Sequence, residues 1–168
     1  MAPSSSETRI RVLVADDDSQ ILRCYRRAFA QPPAAADAGN VFESLSDDLF
    51  GQTAGRAHSP VFEVVECSQG DEAVDVVQEA FRGESPFDVV VLDVRMPPGI
   101  NGVEAGEQIR RLDPGVPIVF VSGYSDVSAE DLERRVPPSS RLHFYSKPLS
   151  FRALAEDIAE IVERARAG

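Results

Sequence analysis

Four places in this sequence carry side chains suited to a hard cation or a phosphoryl group, and each lies at the end of a short apolar run. Asp16, Asp17 and Asp18 follow "RIRVLVA" (9–15), and Asp93 closes "FDVVVLD" (87–93). Ser122 closes "VPIVFVS" (116–122), and Lys147 follows "RLHFYS" (141–146). Clustered carboxylates with open positions between them suit Mg²⁺, which keeps waters and takes only one or two carboxylates. A hydroxyl and an ammonium opposite that cation can hold the remaining oxygens of a phosphoryl group. A carboxylate between them can then act as the nucleophile of aspartyl-phosphate chemistry. Plainer roles exist for each residue. Capping the first helix is the preferred reading for Asp18 and Ser19. Lys147 would otherwise be a solvated lysine, and Ser122 a partner for loop backbone. Asp93 resists such a role, because four apolar residues carry it directly to its position. Together, at successive run ends, the four places read as one site.

The elements that must position them follow from periodicity. The runs 9–15, 87–93 and 116–122 are nearly continuous and β-branched, as strands covered on both faces are. "VFEVVEC" (61–67) and 141–146 alternate more, as strands nearer an edge do. Between them lie stripes of helical period, which read as core faces: Ile21, Leu22, Tyr25, Ala28 and Phe29; Ala73, Val74, Val77, Ala80 and Phe81. Val103, Gly106, Ile109 and Leu112 form a third, stopped by Asp113-Pro114-Gly115; a weaker segment, 127–136, ends at Pro137-Pro138. Phe151, Leu154, Ile158, Ile161 and Val162 form the last, which starts at Ser150. Five β-α units in series predict an open, doubly wound parallel five-stranded sheet with right-handed crossovers. Such sheets gather their functional loops at the carboxyl ends of the strands.

Residues 31–60 break this rhythm. They begin "QPPAAADAG" and end "GQTAGRAHSP", both linker-like, around "NVFESLSDDLFG" (40–51). Asn40 with Glu43 forms a capping pair, Val41, Leu45 and Leu49 share a face, and Gly51 follows, so a short extra helix is expected within an insertion. Residues 1–8 read as a disordered lead and 9–168 as one domain.

The chain of 168 residues has 43% hydrophobic content, enough for a real core. Its formal net charge of -11 argues against a nucleic-acid surface. Neither a signal peptide nor an apolar run of membrane-spanning length is present, so a cytoplasmic protein is expected. Cys24 and Cys67 form no CxxC and read as buried thiols in a reducing compartment. His58 and His143 lie in no helical context suited to a phosphohistidine donor, and structural roles are assigned to them.

In these motifs the chain resembles the receiver domains of bacterial two-component response regulators over about residues 9 to 166, the 31–60 insertion apart. "VLVADDD" resembles the acidic-pair motif, "VVVLDVRMPPGINGVE" the phosphoacceptor loop, "VFVSGYSD" the hydroxyl strand and "FYSKP" the lysine-proline turn. The resemblance implies a flavodoxin-like (βα)5 fold and a signalling domain rather than an enzyme. It implies that Asp93 accepts the phosphoryl group. Mg²⁺ (or Mn²⁺) would be held by Asp17 directly, by Asp16 largely through water, by Asp93 and by the backbone carbonyl of Arg95. Ser122 and Lys147 would contact the phosphoryl oxygens, the Lys147-Pro148 bond would be cis, and Phe144 would be the aromatic switch residue. The implied donor is a sensor histidine kinase or a histidine phosphotransfer protein. Output would run through the surface of the fourth helix, fifth strand and fifth helix, which also offers a homodimer contact; no membrane partner is implied. Three features depart from the family's common pattern. The loop "MPPGING" is one residue longer, Gly123 stands where Ala is frequent, and 31–60 is extra. With nothing after the last helix, a stand-alone receiver or an excised piece is expected.

Two rivals are weighed. A phosphatase of the haloacid dehalogenase type would use Asp16 as nucleophile and Asp18 as acid/base. It requires a later acidic pair at a strand end, where only Glu156 and Asp157 follow, and it leaves Asp93 without a task. A receiver that is never phosphorylated and serves as an interaction module is the other, disfavoured because every key side chain is present.

Overall fold

The computed structural model describes residues 8–30, 60–123 and 127–168. Strands and helices alternate: β1 (Arg9–Ala15), α1 (Ser19–Ala30), β2 (Val61–Cys67), α2 (Gly70–Arg82), β3 (Val89–Asp93), α3 (Gly102–Leu112). They continue with β4 (Ile118–Ser122), α4 (Ala129–Arg135), a 3-10 turn (Ser139–Arg141), β5 (Leu142–Ser146) and α5 (Phe151–Ala167). The sheet runs β2-β1-β3-β4-β5 with every neighbouring pair parallel. The two runs that alternate, β2 and β5, occupy the edges. The continuous ones lie inside, where each face must be apolar.

Each face has its own core. On one side Tyr25 and Phe29 of α1 and Leu154, Ile158 and Val162 of α5 cover Ile10, Val12, Val14, Val91, Val119 and Val121. On the other, Ala73 and Val77 of α2, Val103 and Ile109 of α3 and Leu132 of α4 cover Leu13, Val90, Leu92, Ile118 and Phe120. Alternate residues of a strand face opposite layers, which divides each inner strand between the cores. Burying a branched apolar side chain is worth about 1.5–3 kcal/mol, so these layers hold the sheet's carboxyl edge in register. Two close approaches seat α3: a Cβ on Gly102 would lie 1.9 Å from the Asp93 carbonyl oxygen, and one on Gly106 would lie 2.6 Å from the Phe120 ring.

Several expectations are corrected. β3 and β4 begin two residues late, at Val89 and Ile118. The Asp88 carboxylate takes the Arg11 backbone N–H that a ladder bond would use, and Pro117 has no N–H to donate. Cys24 is exposed rather than buried, since Tyr25 and Phe29 set the inward face of α1; Cys67 is buried. Phe81 is 49% exposed, not core, because α2 reaches its last turn beside the edge strand, where Val61 is likewise exposed. Arg110, on which the sequence carried no expectation, is buried: its guanidinium donates to the carbonyls of Pro114, Val116 and Arg141, tying α3 to the starts of β4 and β5. The expected insertion helix lies outside the described residues, as do His58 and most of the N-terminal lead.

Candidate functional site at the carboxyl edge of the sheet

β1 and β3 are neighbours, and each delivers a carboxylate at its carboxyl end. Asp16 is 1% exposed and Asp93 9% exposed. β4 pairs Val121 with Asp93, which sets Ser122 one step beyond it, and β5 pairs Ser146 with Ser122 just before Lys147. The Lys147 backbone N–H donates to the Ser122 carbonyl at 2.7 Å. The Lys147-Pro148 peptide bond is cis.

The centre of the site is the Lys147 ammonium. Its Nζ donates to Asp16 Oδ2 at 2.9 Å and to Asp93 Oδ2 at 3.2 Å. Asp16 Oδ1 accepts from the Asp18 backbone N–H at 2.9 Å, and Asp93 Oδ1 accepts from the Arg95 backbone N–H at 3.3 Å. Asp17 is exposed, and its carboxylate, with those of Asp16 and Asp93, offers oxygens all within 4.8 Å of one another. Asp18 lies at the rim of the site cavity and caps the helix: its Oδ1 accepts the Gln20 backbone N–H at 2.8 Å, on the first turn of α1.

Charge dominates this geometry. Among Asp16, Asp17, Asp93 and Lys147, three carboxylates face one ammonium, an excess of two negative charges within this set. Burial, and then the charge of Asp16, push the Asp93 carboxyl above its ordinary range, although Lys147 and the Arg95 amide pull it back. Burial works to lower the Lys147 ammonium, but its hydrogen bond to Asp16 and the two nearby carboxylates outweigh it and hold Lys147 above its usual value. A divalent cation beside Asp16, Asp17 and Asp93 would cancel the excess. The donor set, all hard oxygens with one side open, fits Mg²⁺ or Mn²⁺.

The residues bound an open cavity of about 580 Å³ lined by Asp16, Asp17, Asp18, Ile21, Asp93, Arg95 and Lys147, with Pro97 and Gly123 at its wall. Among the described residues, a Cβ on Gly123 would meet nothing within 4 Å. Phe144 lies on β5 opposite Phe120, 38% exposed. Thus Asp16, Asp17, Asp93 and Lys147 converge, Ser122 and Arg95 flank them, and Phe144 stands on the neighbouring strand.

One set of contacts was not anticipated from sequence. The turn before α2 reaches the loop after Asp93: Gln69 Nε2 donates to the Pro97 carbonyl at 3.2 Å, and Gln69 Oε1 accepts the Gly99 N–H at 3.1 Å. Asp71 Oδ1 accepts the Ile100 N–H at 3.0 Å. Its only sequence signal is the length of the "MPPGING" loop, which calls for added support.

Comparison with known proteins bears on the family and the fold. The family model for the response regulator receiver domain matches residues 52–159. That match omits β1 and α1, and with them Asp16 and Asp17, although the sheet sets β1 between β2 and β3. The chain is 32% identical over 103 residues to the sensor kinase CckA of Brucella abortus, covering 61% of this chain and 10% of that protein. It is 28% identical over 105 residues to the transcriptional regulatory protein ZraR of Klebsiella oxytoca, covering 62% of this chain and 22% of that one. The chain thus spans about a tenth to a fifth of the length of these relatives. In structure it resembles a CheY-like response regulator receiver domain protein from Methanospirillum hungatei, with a TM-score of 0.64 and 20% identity. That likeness covers 95% of this chain and 98% of the other, and it concerns the fold.

Proposed function

The chain belongs to the response regulator receiver domain family, a signalling family of two-component systems, and on that premise we propose that it accepts a phosphoryl group onto Asp93. The observation that carries this reading is the Lys147 ammonium bridging Asp16 and Asp93, with Asp17 completing a three-carboxylate cluster. One aspartate at the end of an apolar strand is thereby set between a cation-binding pair and a lysine.

The donor is a phosphohistidine on a sensor histidine kinase or a histidine phosphotransfer protein. An Asp93 carboxylate oxygen attacks phosphorus in line with the P–N bond. The P–O bond forms as P–N breaks, the electron pair returns to the imidazole nitrogen, and that nitrogen takes up a proton. Lys147 already touches Asp93 Oδ2, so it neutralises the new phosphoryl oxygens with little movement. Ser122, one residue beyond the register partner of Asp93, donates its hydroxyl to another of them. Asp17, Asp16, Asp93 and the Arg95 carbonyl are the residues that would hold Mg²⁺ or Mn²⁺. When bound, the ion supplies charge neutralisation on the transferring group. Asp18 has no part beyond capping α1.

The same contacts supply the output. Movement of Ser122 toward the phosphoryl oxygens leaves room beside β4, and Phe144, 38% exposed on β5, turns into it. The altered face comprises α4, β5 and α5, a two-state surface biased by one local charge. It is the contact through which a homodimer would form. Residues 9–168 constitute one receiver domain carrying 31–60 as an insertion. Among the described residues no helix is long and apolar enough to cross a membrane.

Incubation with acetyl phosphate and Mg²⁺ is expected to add one phosphoryl group per chain by intact mass, and beryllofluoride is expected to occupy the same site. Asp93→Asn is expected to abolish both. A folded Asp93→Asn protein that still takes up one group sinks the assignment. Turnover of a free phosphate ester that survives Asp93→Asn but disappears in Asp16→Asn favours the phosphatase.

A further inference from the structure

The loop from Asp93 to α3 is anchored firmly at its base. Its Val94 N–H donates to the Val121 carbonyl at 3.0 Å, and the Gly102 N–H donates to the Val94 carbonyl at 3.0 Å. Val94 and Met96 are buried beneath it, whereas Arg95, Pro97, Pro98 and Gly99 are exposed. A base so fixed does not by itself fix the tip, whose Pro97 and Pro98 have no N–H to donate. Yet the tip matters, because Pro97 and Arg95 both line the site cavity.

What holds the tip comes from a different strand end. Gln69 uses both atoms of its amide, Nε2 on the Pro97 carbonyl and Oε1 on the Gly99 N–H. Asp71 receives the Ile100 N–H. At Gly70 the two backbones meet so closely that a side chain is excluded, and at Gly99 a side chain would displace the very groups that hold the loop. A Cβ on Gly70 would lie 2.5 Å from the Ile100 carbonyl oxygen, and one on Gly99 would lie 2.4 Å from Asp71 Oδ1. Three hydrogen bonds and two glycines thus join segments 28 to 30 residues apart at the tip of the loop that carries Arg95.

We propose that Gln69 and Asp71 are positioning residues for phosphoryl acceptance, acting through Pro97, Gly99 and Ile100 to set the loop that carries the Arg95 carbonyl and bounds the site. The proposal rests on the receiver reading of Asp93 and on the Arg95 carbonyl as a metal ligand. Without the clamp the loop samples other conformations, and the metal site is assembled only part of the time. Neither residue touches the reacting atoms, so its loss weakens metal binding rather than abolishing the chemistry.

The test is Mg²⁺ affinity, measured by NMR titration of the full chain, together with the rate of phosphorylation by acetyl phosphate at saturating Mg²⁺. Gln69→Ala and Asp71→Ala are each expected to raise the Mg²⁺ dissociation constant about tenfold, the scale seen when a residue supporting a metal ligand is lost. Asp71→Asn keeps an acceptor oxygen and is expected to stay within about twofold of the parent, on the same scale. Gln69→Glu keeps the acceptor for Gly99 but sets a carboxylate oxygen against the Pro97 carbonyl, and is expected to resemble Gln69→Ala. A clamp that is merely structural would lower the thermal midpoint and leave the dissociation constant of the folded fraction unchanged. Parental Mg²⁺ affinity in a folded Gln69→Ala/Asp71→Ala double variant overturns the proposal while leaving the receiver reading intact. Failure of the unsubstituted chain to bind Mg²⁺ or to be phosphorylated overturns the receiver reading and the clamp with it.

Discussion

The two ends of the sheet solve the problem of a partly buried carboxylate in opposite ways. At the amino edge, Asp88 Oδ2 accepts the Arg11 backbone N–H at 2.8 Å, and Oδ1 accepts the Arg166 guanidinium at 2.8 and 3.2 Å. Arg166 also donates to the Arg9 carbonyl, and Arg11 pairs with Glu63 and lies over the Phe87 ring. Each oxygen of Asp88 has a donor, and the network ties the end of α5 to β1 and β3. At the carboxyl edge, Asp16, Asp17 and Asp93 crowd around one lysine, three carboxylates to one ammonium among these four side chains. A closed network stabilises the fold. An open one costs stability unless something from outside completes it, which is what the proposed cation would do.

The largest effects that test this contrast concern the cation. Asp17→Ala is expected to weaken Mg²⁺ binding by more than about tenfold, whereas Asp18→Ala, which removes only the cap of α1, is expected to leave affinity almost unchanged. The Asp18 substitution instead costs about 1 kcal/mol of stability. Equal losses of affinity would mean that the acidic pair is Asp17 with Asp18, and the charge argument around Asp16 would have to be redrawn. At the opposite edge Asp88→Ala strands the Arg11 N–H and the Arg166 guanidinium. It is expected to cost about 2 kcal/mol, which lowers the thermal midpoint by about 4–8 °C for a chain of this size. Its phosphorylation by acetyl phosphate is expected to stay within about twofold of the parent, well under one decade of rate. A large loss of phosphorylation in folded Asp88→Ala would show that the two edges are coupled.

The carboxyl edge was the more legible of the two, for a physical reason. A strand end preceded by four apolar residues announces where its polar terminus must emerge, so "VVVLD" pointed to Asp93 before any geometry was known. The edge positions of β2 and β5 were readable in the same way, from alternation. Contacts formed by long side chains across the fold leave no such period. Gln69 and Asp71 read as ordinary residues opening a helix, and only the folded chain brings them to Pro97 and Ile100. Arg110 sits in the sequence as one of two adjacent arginines, yet it is buried, because the carbonyls it reaches belong to α3–β4 and to the turn before β5. Phe81 fell in a correct helical stripe and still emerged exposed. Periodicity reports the face of a helix; it does not report how far the opposing layer extends.

The finest test compares the two edges by pH in the absence of divalent cations. Asp93 has its carboxyl raised in the folded chain, by burial and by Asp16. A raised carboxyl contributes most to stability when protonated in both states, below the ordinary value of about 4. Its contribution falls as pH rises from there through the raised folded value, because the unfolded chain releases its proton first. Above that value the penalty is constant. Asp93→Asn removes the titration, so the variant is expected to gain on the parent across this window and to have the higher thermal midpoint at neutral pH. With saturating Mg²⁺ the order is expected to reverse, since the ion stabilises only the chain that offers it the carboxylate. Thermal melts at several pH values, with and without Mg²⁺, check both signs. A parent more stable than Asp93→Asn at neutral pH without Mg²⁺ would mean that Lys147 alone satisfies both buried carboxylates. The carboxyl edge would then be as closed as the one around Asp88.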